Sequence, residues 1–319
     1  MALRIPRITA DPLIMLILLA AVIAFIAPAT GAFAESFSLA TKIAIALLFF
    51  LYGSRLSPQQ ALEGLKHWRL HVLILAFTFI IFPCIGVFLF PMGMVLGHEL
   101  YLGILYMTLV PSTVQSSVAF TSIARGNVAG AIVSASVSNI VGVFATPLLV
   151  MFLMHSDGIA ISGNIFLDIA IQLLAPFIAG QLMRRWSADF AHRPVTKQVD
   201  RLSIAMVVYM AFSEGIVHGV WSRISWWQLS LLVIFSIVFV YAMLWLTRAV
   251  ASRAGFSRQD IIAIQFCGTK KSLATGLPMA AVIFGSTQVG VLIVPLMIFH
   301  QVQLMVCAHQ ATQYAKKGI

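Results

Sequence analysis

The chain is written as ten long apolar runs separated by short polar or basic connections, near residues 12–29, 39–56, 69–91, 100–124, 128–154, 163–184, 202–220, 226–249, 260–284 and 287–312. Each run approaches or exceeds the ~20 residues that a helix needs to cross the hydrocarbon core of a bilayer. A backbone in hydrocarbon must satisfy its own polar groups, so runs of this length are predicted to be helices. The pattern predicts an all-α polytopic membrane protein of ten transmembrane helices, with no room for a separate soluble domain. An even count returns both termini to one side.

Charge tests that count. With a cytoplasmic N-terminus, Arg4, Arg7, Arg55, Lys66, Arg69, Arg125, the cluster from Arg184 to Arg201, Arg248, Arg253, Arg258, Lys316 and Lys317 fall on the cytoplasmic side, and Arg223 on the outside. This is the positive-inside bias, and it places the protein in the inner (plasma) membrane with both ends cytoplasmic. The net charge of +10 is therefore topological: the basic residues recur between apolar runs and form no nucleic-acid-binding face. Hydrophobic residues are 61% of the 319 and charged residues 9%, far from a soluble composition. Cys84, Cys267 and Cys307 lie within apolar runs without ligand spacing, which argues against disulfides and metal sites. Ala32-Phe33-Ala34 resembles a signal cleavage site, but the apolar run from Pro12 to Pro28 exceeds a signal core of roughly 7–15 residues and is read as the first span.

The layout divides into two halves, residues 10–156 and 160–315, of five spans each. An odd-numbered half inserts its copy upside down, so the pattern predicts two inverted repeats in a single membrane domain. Span 4 then corresponds to span 9 and span 5 to span 10.

Polar residues concentrate in those pairs. In span 4, Thr108, Pro111, Ser112, Thr113, Gln115, Ser116 and Ser117 interrupt an apolar helix, and Pro111 removes an amide donor, freeing carbonyls near residue 107. Such carbonyls persist in hydrocarbon when protein, water or an ion satisfies them. The hydroxyls fit a small cation or an anionic group; they also fit close helix packing. In span 9, Gln265, Thr269, Lys270, Lys271 and Ser272 sit among Gly268, Gly276 and Pro278. Lys271 lies eleven residues past Asp260, or ~16 Å at the helical rise, near the middle of the membrane. A lysine there costs ~2.5–3.5 kcal/mol or more, so both lysines are expected to face a cavity, a partner or each other across unwound backbone. Span 5 carries Ser134, Ser138 and Asn139, and span 10 carries His300, Gln301 and Gln303. No GxSxG, HExxH, Walker A or GxGxxG stands in a suitable context, and no enzymatic activity is expected.

Three segments bear a family likeness: Phe50-Leu51-Tyr52-Gly53 with Leu56-Ser57, Pro111 to Ser117 followed by Arg125-Gly126-Asn127, and Gly268-Thr269-Lys270-Lys271-Ser272-Leu273 with Gly276 and Pro278. The chain resembles the bile acid:sodium symporter family, solute carrier family 10, and most closely its divergent lysine-containing branch. The resemblance implies a panel domain (10–58 and 163–221) and a core domain (68–156 and 226–315), with broken helices 4 and 9 crossing. It also implies where sodium would bind: the family's Ser-Asn pair falls on Ser116 and Ser117, its span 3 glutamine on Thr78, its span 9 glutamate on Phe266 and its span 9 glutamine on Lys270. With the acid absent and a lysine beside its place, sodium coupling is expected to be altered or reduced. Ser116, Ser117 and Asn139 are the remaining candidate sodium ligands, and a proton is the other candidate coupling ion. The expected function is secondary transport of a small organic anion by alternating access, with the lysines supplying positive potential. The alternative is a non-transporting membrane regulator of ion homeostasis or envelope biogenesis on the same fold.

Overall fold

The computed structural model of the protein describes residues 12–55, 67–154, 170–217, 219 and 224–317, and among these every regular element is a helix, with no strand. Arg4, Arg7, Ser57, Lys66 and Arg223 lie outside the described residues. The helices are α1 (Pro12–Ile26), α2 (Gly31–Arg55), α3 (Trp68–Phe88), α4 (Met92–Leu96), α5 (His98–Leu109), α6 (Gln115–Ile123), α7 (Val128–Met154), α8 (Ala175–Leu182, entered through the π turn Ala170–Leu174), α9 (Arg184–Ala191), α10 (Pro194–Val217), α11 (Trp226–Arg253), α12 (Arg258–Thr269), α13 (Leu273–Leu292) and α14 (Val294–Lys317). Five stretches are long and apolar enough to cross a membrane unaided: α2, α3, α7, α11 and Val289–Lys316. Predicted spans 4 and 9 are each divided in two, as α5–α6 and α12–α13, and α13 kinks at Gly285, whose φ of +68° ends span 9 close to its predicted edge. The outer surface carries exposed Phe88, Phe152, Leu182, Trp186 and Trp226, a surface suited to lipid and not to water.

Local sequence sets the helix ends. Ser257 opens α12 by accepting the Asp260 amide at 3.2 Å, and Ser225 and Gln228 form a reciprocal capping box at the start of α11. The Arg125-Gly126-Asn127 turn is structural. Arg125 has φ +58°, the Asn127 side chain donates to Asp260 at 2.7 Å, and its amide donates to the Gln259 carbonyl at 2.9 Å. This turn pins the end of α6 to the start of α12. In α3, a π turn at Phe77–Ile81 precedes Pro83, and the Phe82 amide bonds the Phe77 carbonyl.

Helices α1, α2, α8 and α10 pack together, while α3, α5, α6, α7, α11, α12 and α14 form a second packed group, and α13 lies against α10. Within the first group α2 and α8 approach through two glycines. A Cβ on Gly53 would overlap the Phe177 carbonyl, and one on Gly180 would overlap the Phe50 carbonyl. The obstacles are backbone atoms and cannot swing aside. Gly53→Ala or Gly180→Ala is expected to force the helices apart, costing about 1–3 kcal/mol. Thermal unfolding of the purified variants in detergent should show a lower midpoint for each; an unchanged midpoint for both would remove the close-packing account.

Candidate functional site

Helix α5 stops at Leu109 and α6 begins at Gln115; α12 stops at Thr269 and α13 begins at Leu273. The two unwound segments meet where the Ser272 amide donates to the Pro111 carbonyl at 2.8 Å. Every group freed by these breaks would be costly in hydrocarbon, and neighbouring residues supply partners. Thr146 donates to the Leu109 carbonyl at 2.9 Å, and Asn139 donates to the Ser112 carbonyl at 2.9 Å. Ser138 accepts the Ser112 amide at 3.1 Å. Across the crossing, Ser112 and Ser117 donate to the carbonyls of Cys267 and Phe266, at 2.6 and 3.1 Å. Tyr106 reaches the Gly276 carbonyl at 2.6 Å.

Lys271 is fully buried, and its Nζ donates to three carbonyl oxygens, those of Thr78 at 2.9 Å, Thr108 at 2.7 Å and Val110 at 2.9 Å. Three acceptors match the three N–H bonds of an ammonium. Each carbonyl is free for a local reason. In the π register the next donor to Thr78 would be the amide of Pro83, which does not exist. Thr108 and Val110 flank the end of α5, where the Ser112 amide has turned to Ser138. The ring of Phe82 stands 4.3 Å from Nζ and closes the site. The Lys271 backbone is also held, because Gln303 Oε1 accepts its amide at 2.9 Å and Gln303 Nε2 donates to its carbonyl at 2.7 Å.

Lys270 contrasts with its neighbour. It too is fully buried, yet its Nζ has no hydrogen-bond partner among the described residues and lies 3.7 Å from the centre of the Phe120 ring. Adjacent positions in unwound backbone thus send two amines to different surroundings, one a carbonyl cage and the other an aromatic face.

A cavity of roughly 430 Å³ reaches the crossing from one end of the molecule. Of the residues predicted for the site, Thr113, Gln115, Ser116, Asn139, Ser272 and His300 line it; neither lysine does. Thr275, also on the wall, donates to Asn139 Oδ1 at 2.7 Å. Thr113 lies 2.7 Å from Ser116 and 3.1 Å from Ser117, hydroxyl to hydroxyl. The remaining predicted residues stand away from the cavity. Ser134 pairs with His71 at 2.6 Å, Gln265 bridges the Leu244 carbonyl and the Tyr314 hydroxyl, Thr269 approaches Thr247 at 3.4 Å, and the Thr78 hydroxyl bonds its own helix. Gln301 is half-buried on α14.

The sequence shows Gln303 among the polar residues of span 10 without assigning it to the site, and its pattern of charge accounts for Arg55, Lys197 and Arg201 as topology alone. All three basic residues line the cavity, with Asp200 and His192. An intramembrane glutamine two residues from Gln301 was a visible signal. The cavity's basic rim was not, because it is assembled from the ends of α2 and α10, far apart in sequence.

Comparison with known proteins supplies the chain's relatives. The family model described as the SBF-like CPA transporter family matches residues 11–316. The candidate symporter YfeH of Escherichia coli K12 is 42% identical over 96% of this chain and 93% of its own. Sodium/bile acid cotransporter 7 of Mus musculus is 30% identical over 82% of this chain and 79% of its own. An uncharacterised Pseudomonas aeruginosa protein is 48% identical over 98% and 95%.

The two lysines should respond oppositely to removal of charge. Lys271→Met strands three buried carbonyls and is expected to cost about 3–5 kcal/mol, whereas Lys270→Met replaces an unpartnered amine by an apolar chain of similar length and should stay within about 1 kcal/mol of the parent or exceed it. Thermal unfolding in detergent checks the order; equal losses would contradict the separate surroundings.

Proposed function

This chain belongs to the SBF-like CPA transporter family, and from that premise we propose that it is a secondary active transporter that carries a small organic anion across the inner membrane by alternating access, with altered or reduced sodium coupling. The observation that carries the reading is the cavity that penetrates to the crossed helix breaks. A membrane regulator that moves nothing has no need of such a space, so the cavity favours transport.

Its walls suit an amphipathic anion. Arg55, Lys197 and Arg201 supply positive charge, Ile140, Val143 and Phe177 apolar wall, and the residues at the crossing hydroxyls and amides. A second cavity of roughly 190 Å³, bounded by Ser38, Thr41, Lys42, Gln172 and Val289, lies along the same α2 and α10 faces. Two cavities along one interface are what alternating access by rocking of a panel (α1, α2, α8, α10) against a core would use. On this reading the basic rim of the larger cavity faces the cytoplasm. The lysines then act differently from the expectation of positive potential in the substrate's path: they are walled off, and the rim cations attract the anion.

The residues fit a sodium ion poorly. The carbonyl cage that could hold a cation already holds the Lys271 ammonium, Phe266 stands where the related family has its glutamate, and Ser116, Ser117 and Asn139 are engaged with protein partners. A tethered ammonium therefore substitutes for a bound ion. The names of relatives such as sodium/bile acid cotransporter 7 speak for those proteins; neither ion nor bile acid carries over on a name.

The test is uptake and binding by the purified protein. In a thermal-shift screen, organic monoanions should raise the melting point as much in choline as in sodium buffer, because a ligand that binds the folded state stabilises it. Proteoliposome flux of the anion so found should change less than about twofold when sodium is replaced. Dependence on sodium for either readout would overturn the altered-coupling reading.

A further inference from the structure

The rim of the cavity contains an ion pair with an unusual position. Arg55, at the end of α2, donates from Nη1 to Asp200 Oδ2 at 2.6 Å and from Nη2 to Asp200 Oδ1 at 3.2 Å, and its Nε donates to the Ala191 carbonyl at 2.8 Å. The guanidinium is thereby fixed in orientation, with the Tyr52 ring 5.9 Å away. Both charged side chains line the cavity, and they are 21% and 18% exposed, so each is reachable from the water yet mostly desolvated. A fork of this kind matches a carboxylate or sulfonate in two-point geometry, and Asp200 occupies that fork.

Resting on the transport reading, we infer that Arg55 is the anchor for the substrate's anionic group and that Asp200 is its exchangeable counterion, so that binding of the anion displaces Asp200 and brings a proton onto the Asp200 carboxylate. Charges and protons balance. Before binding, Arg55 and Asp200 neutralise each other; afterwards the bound anion neutralises Arg55 and protonated Asp200 is neutral, with one anion and one proton taken from the water. The protein thus couples an anion to a proton at a single pair.

The linkage follows from geometry. A carboxylate that loses its guanidinium while staying four-fifths buried holds a proton more tightly than before. By reciprocity, protonating Asp200 favours the anion. Burial already pushes the Asp200 carboxyl up from its usual range, against the pull of Arg55, Arg201 and Lys197; Asp200 precedes the predicted membrane-spanning run at 202–220. The other charged or titratable groups that line the cavity with the pair are Tyr52 from α2, His192 from the turn after α9, Lys197 and Arg201 from α10 itself, and His300 from α14. Lys197 is exposed, which weakens it as a substitute partner for a displaced Asp200. The histidines would also favour an anion at low pH, so the variants must separate them from Asp200.

The probe is 2-naphthalenesulfonate, whose charge does not titrate between pH 5.5 and 8, and the measurement is its affinity for the full-length protein in detergent by calorimetry in choline buffer. Parent protein should bind more tightly as pH falls, by up to about tenfold per unit for one linked proton, and should take up protons on binding, read from the difference between buffers of unlike ionisation heat. Asp200→Asn should bind about tenfold more tightly at pH 7.5 and lose most of the pH dependence and the proton uptake. Arg55→Gln should weaken binding tenfold or more, with Arg55→Lys between; if Arg55→Gln does not fold, Asp200→Asn decides. A pH profile unchanged in Asp200→Asn assigns the proton elsewhere and overturns the inference while leaving the transport reading intact. Absence of binding by every variant, with no other organic monoanion bound, overturns both.

Discussion

A bilayer forbids an unsatisfied carbonyl, and this fold creates several at its centre. Pro83 deletes a donor in one helix and the chain unwinds after Leu109 in another that faces it, so the oxygens of Thr78, Thr108 and Val110 converge on a point that calls for a cation. The Lys271 ammonium meets that need from a third helix, itself broken so that the side chain can enter. Each break is unfavourable alone; together they complete one another, and Ser272, Ser112 and Ser117 extend the same exchange along the crossing.

Around this fixed point the molecule separates its tasks. The group containing α2, α8 and α10, in which glycines bring α2 and α8 together, bears the basic rim, while the group containing the crossing bears hydroxyls and amides. The cavity lies between them. The basic rim and the support of the broken backbone therefore use different residues, and Lys270, against Phe120, belongs to neither set.

Much of this was legible in the residues. The two breaks follow from Pro111 and from glycines around a pair of lysines, because no regular apolar helix would carry them, and Asn139 was identifiable from its burial cost. What the sequence concealed depends on contacts across the chain. The freed oxygen at Thr78 needs a π turn whose register is visible only in the backbone, and its role came from a family correspondence that concerned the side chain. Arg55 obeys the charge rule for topology so well that nothing marked it as more than a boundary residue. The Arg125-Gly126-Asn127 segment, which carried part of the family likeness, turned out to be a structural tie to Asp260 and Gln259.

A cation carried on a side chain differs from one drawn from solution in a basic respect: it has no concentration. An ion that comes and goes links its site to a gradient across the membrane, and its departure empties the place it held. The ammonium in the carbonyl cage is delivered by its own backbone, clamped on both sides by Gln303, at an effective concentration set by covalent geometry. The cation at the centre of the protein therefore cannot leave with the solvent, and the wall of the cavity and the core that holds the helices together are chemically separate places.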